Sequence, residues 1–406
     1  MQHDFARSAD GPPVKPALVF FALAMGGFAI GTAEFAVMSL LPYFSVGLGI
    51  DAPTAGHVIS AYALGVVTGA PVIAVLGAHV SRRNLLIGLM LMFALGNGLS
   101  ALAPDYRSML LFRFMSGLPH GAYFGVAALV AASLVPQGKR TQAVARVMMG
   151  LTLATIIGVP LANWMGLAIG WRWAFALVAL LATFTAFMVW RFAPRDRPPE
   201  GAGPLRELGA LRNRQVWLTL SVGAIGFGGL FCVYTYVAST MLEVTHVSPA
   251  LVPVVLALFG LGMTLGNLGA GWLADRAVMP TAAGMLVLSI ASLVFYALVA
   301  GNIWLLALAI FLIGTGGGVG VVLQIRLMDV AGEAQTLAAA LHHSAFNFAN
   351  ALGPWLGGLA IAAGYGWAST GWVGSLLALG GLVMLGIAWA DGTRRVRRAE
   401  RIAPQH

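Results

Sequence analysis

Twelve long apolar runs, separated by short polar breaks, constrain this chain more than any other feature of it. They cover approximately residues 18–43, 54–77, 84–103, 108–131, 141–165, 172–193, 216–241, 249–274, 280–300, 303–328, 334–363 and 367–390. A helix needs about 20 apolar residues to cross the hydrocarbon of a bilayer, and each run supplies that length. The tenth and eleventh exceed it, which implies tilt, kinking or ends standing in water. Composition agrees: 59% of the 406 residues are hydrophobic and 9% charged, at a mean hydropathy of +0.87. Soluble domains carry about 25% charge, so a soluble globule is excluded. The first run is too long for a secretory signal and no small-residue cleavage site follows, so it is expected to be retained. The single cysteine, Cys232, excludes an intrachain disulfide and a thiolate metal cluster, and reads as a small buried apolar residue.

The net charge of +9 raises the question of a nucleic-acid partner, and the placement of the basic residues answers it. They sit in short loops and tails without the basic stripe that nucleic-acid binding needs. With the N-terminus inside, 20 of the 23 fall on the cytoplasmic side; Arg107 and Arg172 fall outside and Arg113 lies within a span. That asymmetry puts both termini in the cytoplasm of a multi-pass inner-membrane protein. The segment 194–215, rich in Pro, Gly and Arg, reads as a cytoplasmic linker near the midpoint. The expected organisation is therefore a cytoplasmic N-terminal tail (1–17), a six-helix bundle (18–193), the linker, a second six-helix bundle (216–390) and a basic cytoplasmic tail (391–406). The arginines from Arg394 to Arg401 suit anionic lipid headgroups.

The two halves repeat. Gly77 and Arg82 recur as Gly271 and Arg276, Pro160 as Pro354, and Trp173 as Trp367, all 194 positions apart. A duplicated six-helix unit around a central site is a transporter architecture.

Within the runs, Glu34 is the one acidic residue well away from an end. A carboxylate in hydrocarbon costs roughly 3 kcal/mol or more, which makes it a functional candidate by default. It lies about 24 Å along a helix from Leu18 and about 14 Å from Tyr43; Arg113 lies about 8 Å down the fourth run from Ser108, so the two can share one layer. Arg113, Gly117, His120 and Phe124 fall on one helical face, and His343, Asn347 and Asn350 share a face of the eleventh run. His120 could relay protons or bond cargo, or simply bond a carbonyl freed by Pro119. Phe227, Phe231 and Tyr234 form a stripe that suits a cavity wall or helix packing. Tyr62, Tyr123, Asn163 and Gln324 are further candidates for substrate contact, with packing as the competing role. The glycines from Gly314 to Gly318 are not followed by Lys-Ser or Lys-Thr and lie in an apolar run, so they form no phosphate loop.

These residues resemble the major facilitator superfamily over essentially the whole chain. Gly271-Trp272-Leu273-Ala274-Asp275-Arg276 is similar to its loop signature, in which the Asp caps a helix and pairs with an Arg to latch the inner gate. The first-half copy, from Gly77 to Arg82 and Arg83, has Ser81 where the Asp is expected. Arg113 to Gly117 resembles the family's R-x-x-x-G signature, whose Arg is linked to proton transfer. Gly150, Gly158 and Pro160, and more fully Gly353, Pro354, Gly357 and Gly358, resemble the Gly/Pro signature associated with antiporters. Gly31 to Phe35, Tyr62 to Val67, Gly69 to Pro71, Ser116 to Ala122 and Ala345 to Asn347 are similar to the twelve-span drug:proton antiporter branch, and within it to bacterial arabinose-efflux-permease-like proteins.

The resemblance implies an all-α fold of two pseudo-symmetric six-helix halves whose first and fourth helices face a central cavity, so that Glu34 and Arg113 can pair. It implies export by proton antiport without fixing the cargo, for which drug-like amphiphiles and sugars are the two candidate classes; the placement of the charges suits Glu34 as the proton carrier, with Arg113 or a cationic cargo favouring release. The expected partners are a small molecule, protons and lipids, in a monomer that uses no cofactor or metal beyond the proton gradient. The competing readings are a permanent Glu34–Arg113 strut, proton-coupled uptake, and a membrane sensor that has lost transport. An enzyme is disfavoured because no H-E-x-x-H, carboxylate cluster or paired nucleophilic serine is present.

Overall fold

The computed structural model describes residues 15–77, 80–136, 140–196, 212–331 and 335–402. Residues 1–14, 78–79, 137–139, 197–211, 332–334 and 403–406 lie outside the described residues, and with them most of the expected tails and linker, including Arg7, His79, Lys139, Arg197 and Arg206. The side chains of the basic tail from Arg395 onward lie outside them as well.

Every described element is a helix, and several of the apolar runs are broken where the chain chemistry demands it. The first run makes α1 (Pro16–Ser39) and a short α2 (Leu41–Leu48), which ends at Gly49 with a left-handed φ of 66°. Then come α3 (Ala52–Leu76) and α4 (Arg82–Ala101). The fourth run divides into α5 (Tyr106–Gly117) and α6 (His120–Ser133) around Pro119, which has no N–H to continue the ladder. The fifth makes α7 (Arg140–Leu153), a π turn at Ala154–Gly158, and α8 (Val159–Ala168), with Pro160 in its first turn. It is followed by α9 (Trp171–Phe192). The seventh run gives α10 (Arg214–Gly226) and α11 (Gly228–Glu243), and the next two give α12 (Val252–Ala274) and α13 (Val278–Val299). The glycine stretch splits the tenth run into α14 (Ile303–Gly316) and α15 (Val319–Ala331). Last are α16 (Gln335–Ala360), a π turn at Ile361–Tyr365, and α17 (Ser369–Ile402).

Eleven of the helical segments among the described residues are long and apolar enough to cross a membrane. The eleventh expected span, α16, is not among them. Its inner face carries His342, Ser344, Asn347 and Asn350, all buried, and these lower its hydropathy while its position inside the bundle shields them. It is wedged between α3 and α11. Tryptophans 164, 173, 190, 217, 272, 304, 355, 372 and 389 point outward, as side chains facing lipid do.

Helices of residues 16–192 pack chiefly on one another, with α4 along α9, α1 along α7 and α9, and α3 along α5. Those of 214–402 do the same, with α12 along α14, α13 along α17, and α11 along α16 and α17. The two sets meet where α3 packs on α16, α8 on α12, and α1 and α2 on α11. Backbones approach closely at the Gly/Pro stretches: a Cβ on Gly150 would strike the Ala24 carbonyl, and one on Gly353 the Gly228 carbonyl. Further along, Gly158 abuts Thr32, Gly357 the Cys232 thiol and Gly358 the Tyr236 hydroxyl, which donates to the Pro354 carbonyl at 2.9 Å.

Candidate functional site: a buried carboxylate at the seam between two helix sets

Glu34 sits on α1 where it faces α16. It is 7% exposed, and Asn350 Nδ2 donates to its Oε1 at 3.3 Å across the seam. The expected partner, Arg113, is fully buried but forms no ion pair with Glu34. Its Nη1 donates to Asn97 Oδ1 and its Nη2 to the Ala33 carbonyl, both at 3.3 Å. Its guanidinium lies 4.3 Å from the centre of the Tyr62 ring and 5.4 Å from that of Phe175. The cation is thus held by a neutral amide, a carbonyl and two ring faces, each of which favours a positive charge away from water. The strut reading loses its direct contact here, because the bond that spans the seam goes to Asn350 instead.

Tyr62 links Arg113 to His120. Its hydroxyl is 2.8 Å from His120 Nδ1, so the imidazole bonds a side chain of α3 rather than a carbonyl near Pro119. From His120 the ring contacts cross the seam. Its centroid is 6.4 Å from that of His343, which stacks on Phe124 at 5.4 Å and 10°. His342 follows at 5.8 Å from His343 and packs on Phe346 at 4.6 Å. Among the described residues no group of three or more His, Cys, Asp or Glu could hold a metal ion.

Beside Glu34, Phe35 carries α1 into the aromatic residues of the other set. It lies 6.2 Å from Phe231, 5.9 Å edge-on to Tyr234 and 6.5 Å from Phe259. Tyr234 and Phe259 are 4.1 Å apart, and Phe231 continues to Phe227 at 5.4 Å. Several buried polar atoms here have no hydrogen-bond partner among the described residues: the Tyr234 hydroxyl, Asn347 Oδ1, Asn350 Oδ1 and Arg113 Nε. Unsatisfied buried groups cost about 1–3 kcal/mol each, and a ligand or water that bonded them would recover it.

The structure therefore brings together Glu34, Tyr62, Arg113, His120, Phe124, Phe231, Tyr234, His343 and Asn350. Other candidates stand apart. Tyr123 donates to the Leu23 carbonyl at 2.8 Å and ties α6 to α1. Asn163 donates to the Ser39 carbonyl at 3.0 Å and ties α8 to α1. Gln324 is half-buried on α15, whereas Asn347, whose Nδ2 donates back to the His343 carbonyl of its own helix at 3.0 Å, stays at the site through its unpartnered Oδ1. Sequence reasoning missed Asn97, Phe35, Phe259 and His342. Asn97 carried the clearest signal, an amide between two glycines inside an apolar run.

The loops differ as well. Arg276 stacks on Trp272 at 3.5 Å and donates to its carbonyl at 2.8 Å, while Asp275 forms no ion pair among the described residues. Gly271 closes the last turn of α12 by accepting from the Asp275 amide at 3.1 Å, and Gly77 packs on Leu85 at the end of α3. Ser81 caps α4, accepting from the Asn84 amide at 3.4 Å.

A bundle of helices long and apolar enough to cross a membrane, closed around a carboxylate and a cation, is the architecture of a polytopic membrane protein. The chain belongs to the Major Facilitator Superfamily, whose family model matches residues 23–278 and 222–405. It is 42% identical to the inner membrane transport protein YdhP of Escherichia coli K12, over 90% of this chain and 93% of that one. It is 32% identical to a chloramphenicol resistance protein of Streptomyces lividans, over 93% and 97%. It is 28% identical to a probable sugar efflux transporter of Helicobacter pylori, over 88% and 92%. Its backbone matches the human organic anion transporter MFSD10 (TETRAN) with a TM-score of 0.64 at 16% identity, covering 91% of this chain and 98% of that one, which bears on the fold alone.

Proposed function

We propose that this transporter exports small drug-like amphiphiles or sugars by proton antiport, with Glu34 as the group that carries the proton. The observation that carries the reading is a buried carboxylate, without an ion-pair partner among the described residues, bonded across the seam between the two helix sets through Asn350. A permanently paired carboxylate would have no reason to titrate, whereas one facing a neutral amide can gain and lose a proton as the seam opens to either side. Arg113, which donates to the carbonyl of Ala33 next to Glu34 in sequence, is placed to favour the charged form, and the Tyr62–His120 pair continues from Arg113. Two relatives whose names state chloramphenicol resistance and sugar efflux support export over uptake. Proton entry yields roughly 2.3 kcal/mol per 100 mV and about 1.4 kcal/mol per pH unit, enough for modest uphill export. The aromatic residues from Phe227 to Tyr234 suit the apolar body of an amphiphile, and the unpartnered amide oxygens of Asn347 and Asn350 suit hydroxyl or ammonium donors.

The test is transport in proteoliposomes under an imposed proton gradient, with chloramphenicol, arabinose and ethidium as probes, in wild type and Glu34→Gln. Movement of a probe against the proton flow that the substitution abolishes, with passive exchange preserved, supports the reading. Gradient-driven accumulation that survives in Glu34→Gln overturns it.

A further inference from the structure

The repeat places Ser81 opposite Asp275, so the first helix set lacks a carboxylate in the α3–α4 turn. The structure supplies one from elsewhere. The opening N–H groups of a helix have no acceptor within it. At the start of α4 Ser81 takes that of Asn84, and Asp196 takes the two before it. Asp196 Oδ2 accepts from the Arg82 amide at 2.9 Å and its Oδ1 from the Arg83 amide at 3.2 Å, so both carboxylate oxygens are used. Asp196 lies just beyond the end of α9, 114 residues from Arg82 in sequence. A second tie runs beside it, from the Arg83 guanidinium to the carbonyl of Trp190 on α9. A negative charge at a helix N-terminus is also favoured by the helix dipole. Arg83 interacts electrostatically with both Asp196 and Arg195.

We infer that Asp196 is the positioning residue of the α3–α4 turn, providing from the end of α9 the carboxylate that position 81 lacks. It makes the place where the chain leaves the first helix set a fixed part of that turn. Because α4 and α9 pack along their lengths, this tie joins two ends that already belong to one packed pair. This role of Asp196 depends neither on the cargo nor on Glu34, so either reading can fail alone.

The experiment is hydrogen exchange with mass spectrometry on the full-length protein in detergent, following peptides across the α3–α4 turn and across α9. It compares wild type, Asp196→Ala, Asp196→Asn and the double variant Ser81→Asp/Asp196→Ala. Loss of a helix-capping acceptor is worth roughly one factor of ten in local opening. Asp196→Ala is expected to speed exchange of the Arg82 and Arg83 amides by about that factor, leaving α9 unchanged. Asp196→Asn keeps one acceptor oxygen and is expected to lie between. The double variant is expected to regain protection at Arg83 and to keep it at Asn84, because the new carboxylate caps α4 from position 81. Wild-type exchange in Asp196→Ala overturns the inference. So does a double variant as unprotected as Asp196→Ala. If Asp196→Ala fails to fold, Asp196→Asn decides: faster exchange confined to the turn supports the local role, and wild-type exchange or uniform loosening of α9 and α4 refutes it.

Discussion

Among the described residues the buried charges both come from the first helix set, while the side chain that bonds Glu34 across the seam is a neutral amide of the other. Residues 16–192 contribute Glu34 and Arg113, while residues 335–360 contribute the buried His342, Ser344, Asn347 and Asn350, of which Asn350 bonds Glu34. Duplication of the backbone has therefore not duplicated the chemistry. Ions concentrated in one set leave the other free to respond through hydrogen bonds and ring contacts, which re-form at little cost as helices shift. An ion pair bridging the seam would resist that movement, since separating buried opposite charges costs several kcal/mol. The arrangement favours a seam that can open.

The largest expected effect comes from removing the asymmetry at its centre. Glu34→Gln is expected to reduce gradient-driven transport to the passive leak, whereas Asn350→Leu, which deletes only the neutral side of the contact, should slow it without abolishing it. Proteoliposome rates for the two variants under one gradient make the comparison. Equal loss in both would mean that the bond across the seam matters more than the charge.

How much of this was legible in the sequence follows from the kind of information each residue carries. Glu34 stood out because a carboxylate in an apolar run is expensive wherever the helix points. Its partner did not, because an error of a few residues in a span boundary shifts a side chain by several ångströms along the bilayer normal. Arg113 and Glu34 were expected to pair from shared depth and from the resemblance that turns the first and fourth helices to one cavity, and neither says whether Asn97 or Asn350 stands between or beside them. Helix breaks at Pro119 and in the Gly314–Gly318 stretch could be read from missing N–H groups and missing side chains. The break at Leu40 could not, since Leu40 has ordinary helical propensity and only Pro42 downstream hints at it. Asp196 was invisible for a similar reason: a contact made across 114 residues leaves no local pattern.

Arg113 gives the next test, directed at how a cation is kept in the first set without a counter-ion beside it. Asn97→Ala removes the side-chain acceptor of its Nη1 and leaves a guanidinium N–H unsatisfied. The expected cost is about 1–3 kcal/mol, read as a lower thermal midpoint in detergent. Asn97→Asp should instead hold the fold while slowing transport, because it gives Arg113 a permanent anion and ends its availability to the Glu34 layer.

Tyr62→Phe sharpens the comparison more gently. It keeps the ring under the guanidinium and deletes only the hydroxyl at 2.8 Å from His120 Nδ1, so the cation keeps its ring contact while His120 loses its link to α3. Stability should fall by about 1 kcal/mol. If the imidazole takes part in passing the proton, the transport rate should fall more than the apparent affinity for the probe. An unchanged rate would confine His120 to packing between Phe124 and His343.

The smallest effect lies at the end of the bundle that carries α2, where charges are exposed rather than buried. Asp51 accepts from the Thr54 amide at 2.9 Å, and Asp105 from the Ser108 amide at 2.9 Å in a reciprocal capping box. The hydrogen bonds from Thr54 hold the Asp51 carboxyl below its usual range, and the Ser108 amide does the same for Asp105. A carboxyl whose folded value is depressed stabilises the fold fully above its unfolded value, near pH 4, and loses that contribution as pH falls through the lower folded value. The thermal midpoint should thus be flat from pH 7 to about 5 and drop below about 4. Asp51→Asn and Asp105→Asn keep an acceptor oxygen but cannot titrate, so the double variant should show a shallower acid loss than wild type. Because both groups are exposed and screened by water, the difference should be small. A double variant whose acid loss equals that of wild type would show that these caps do not set the acid sensitivity of the fold.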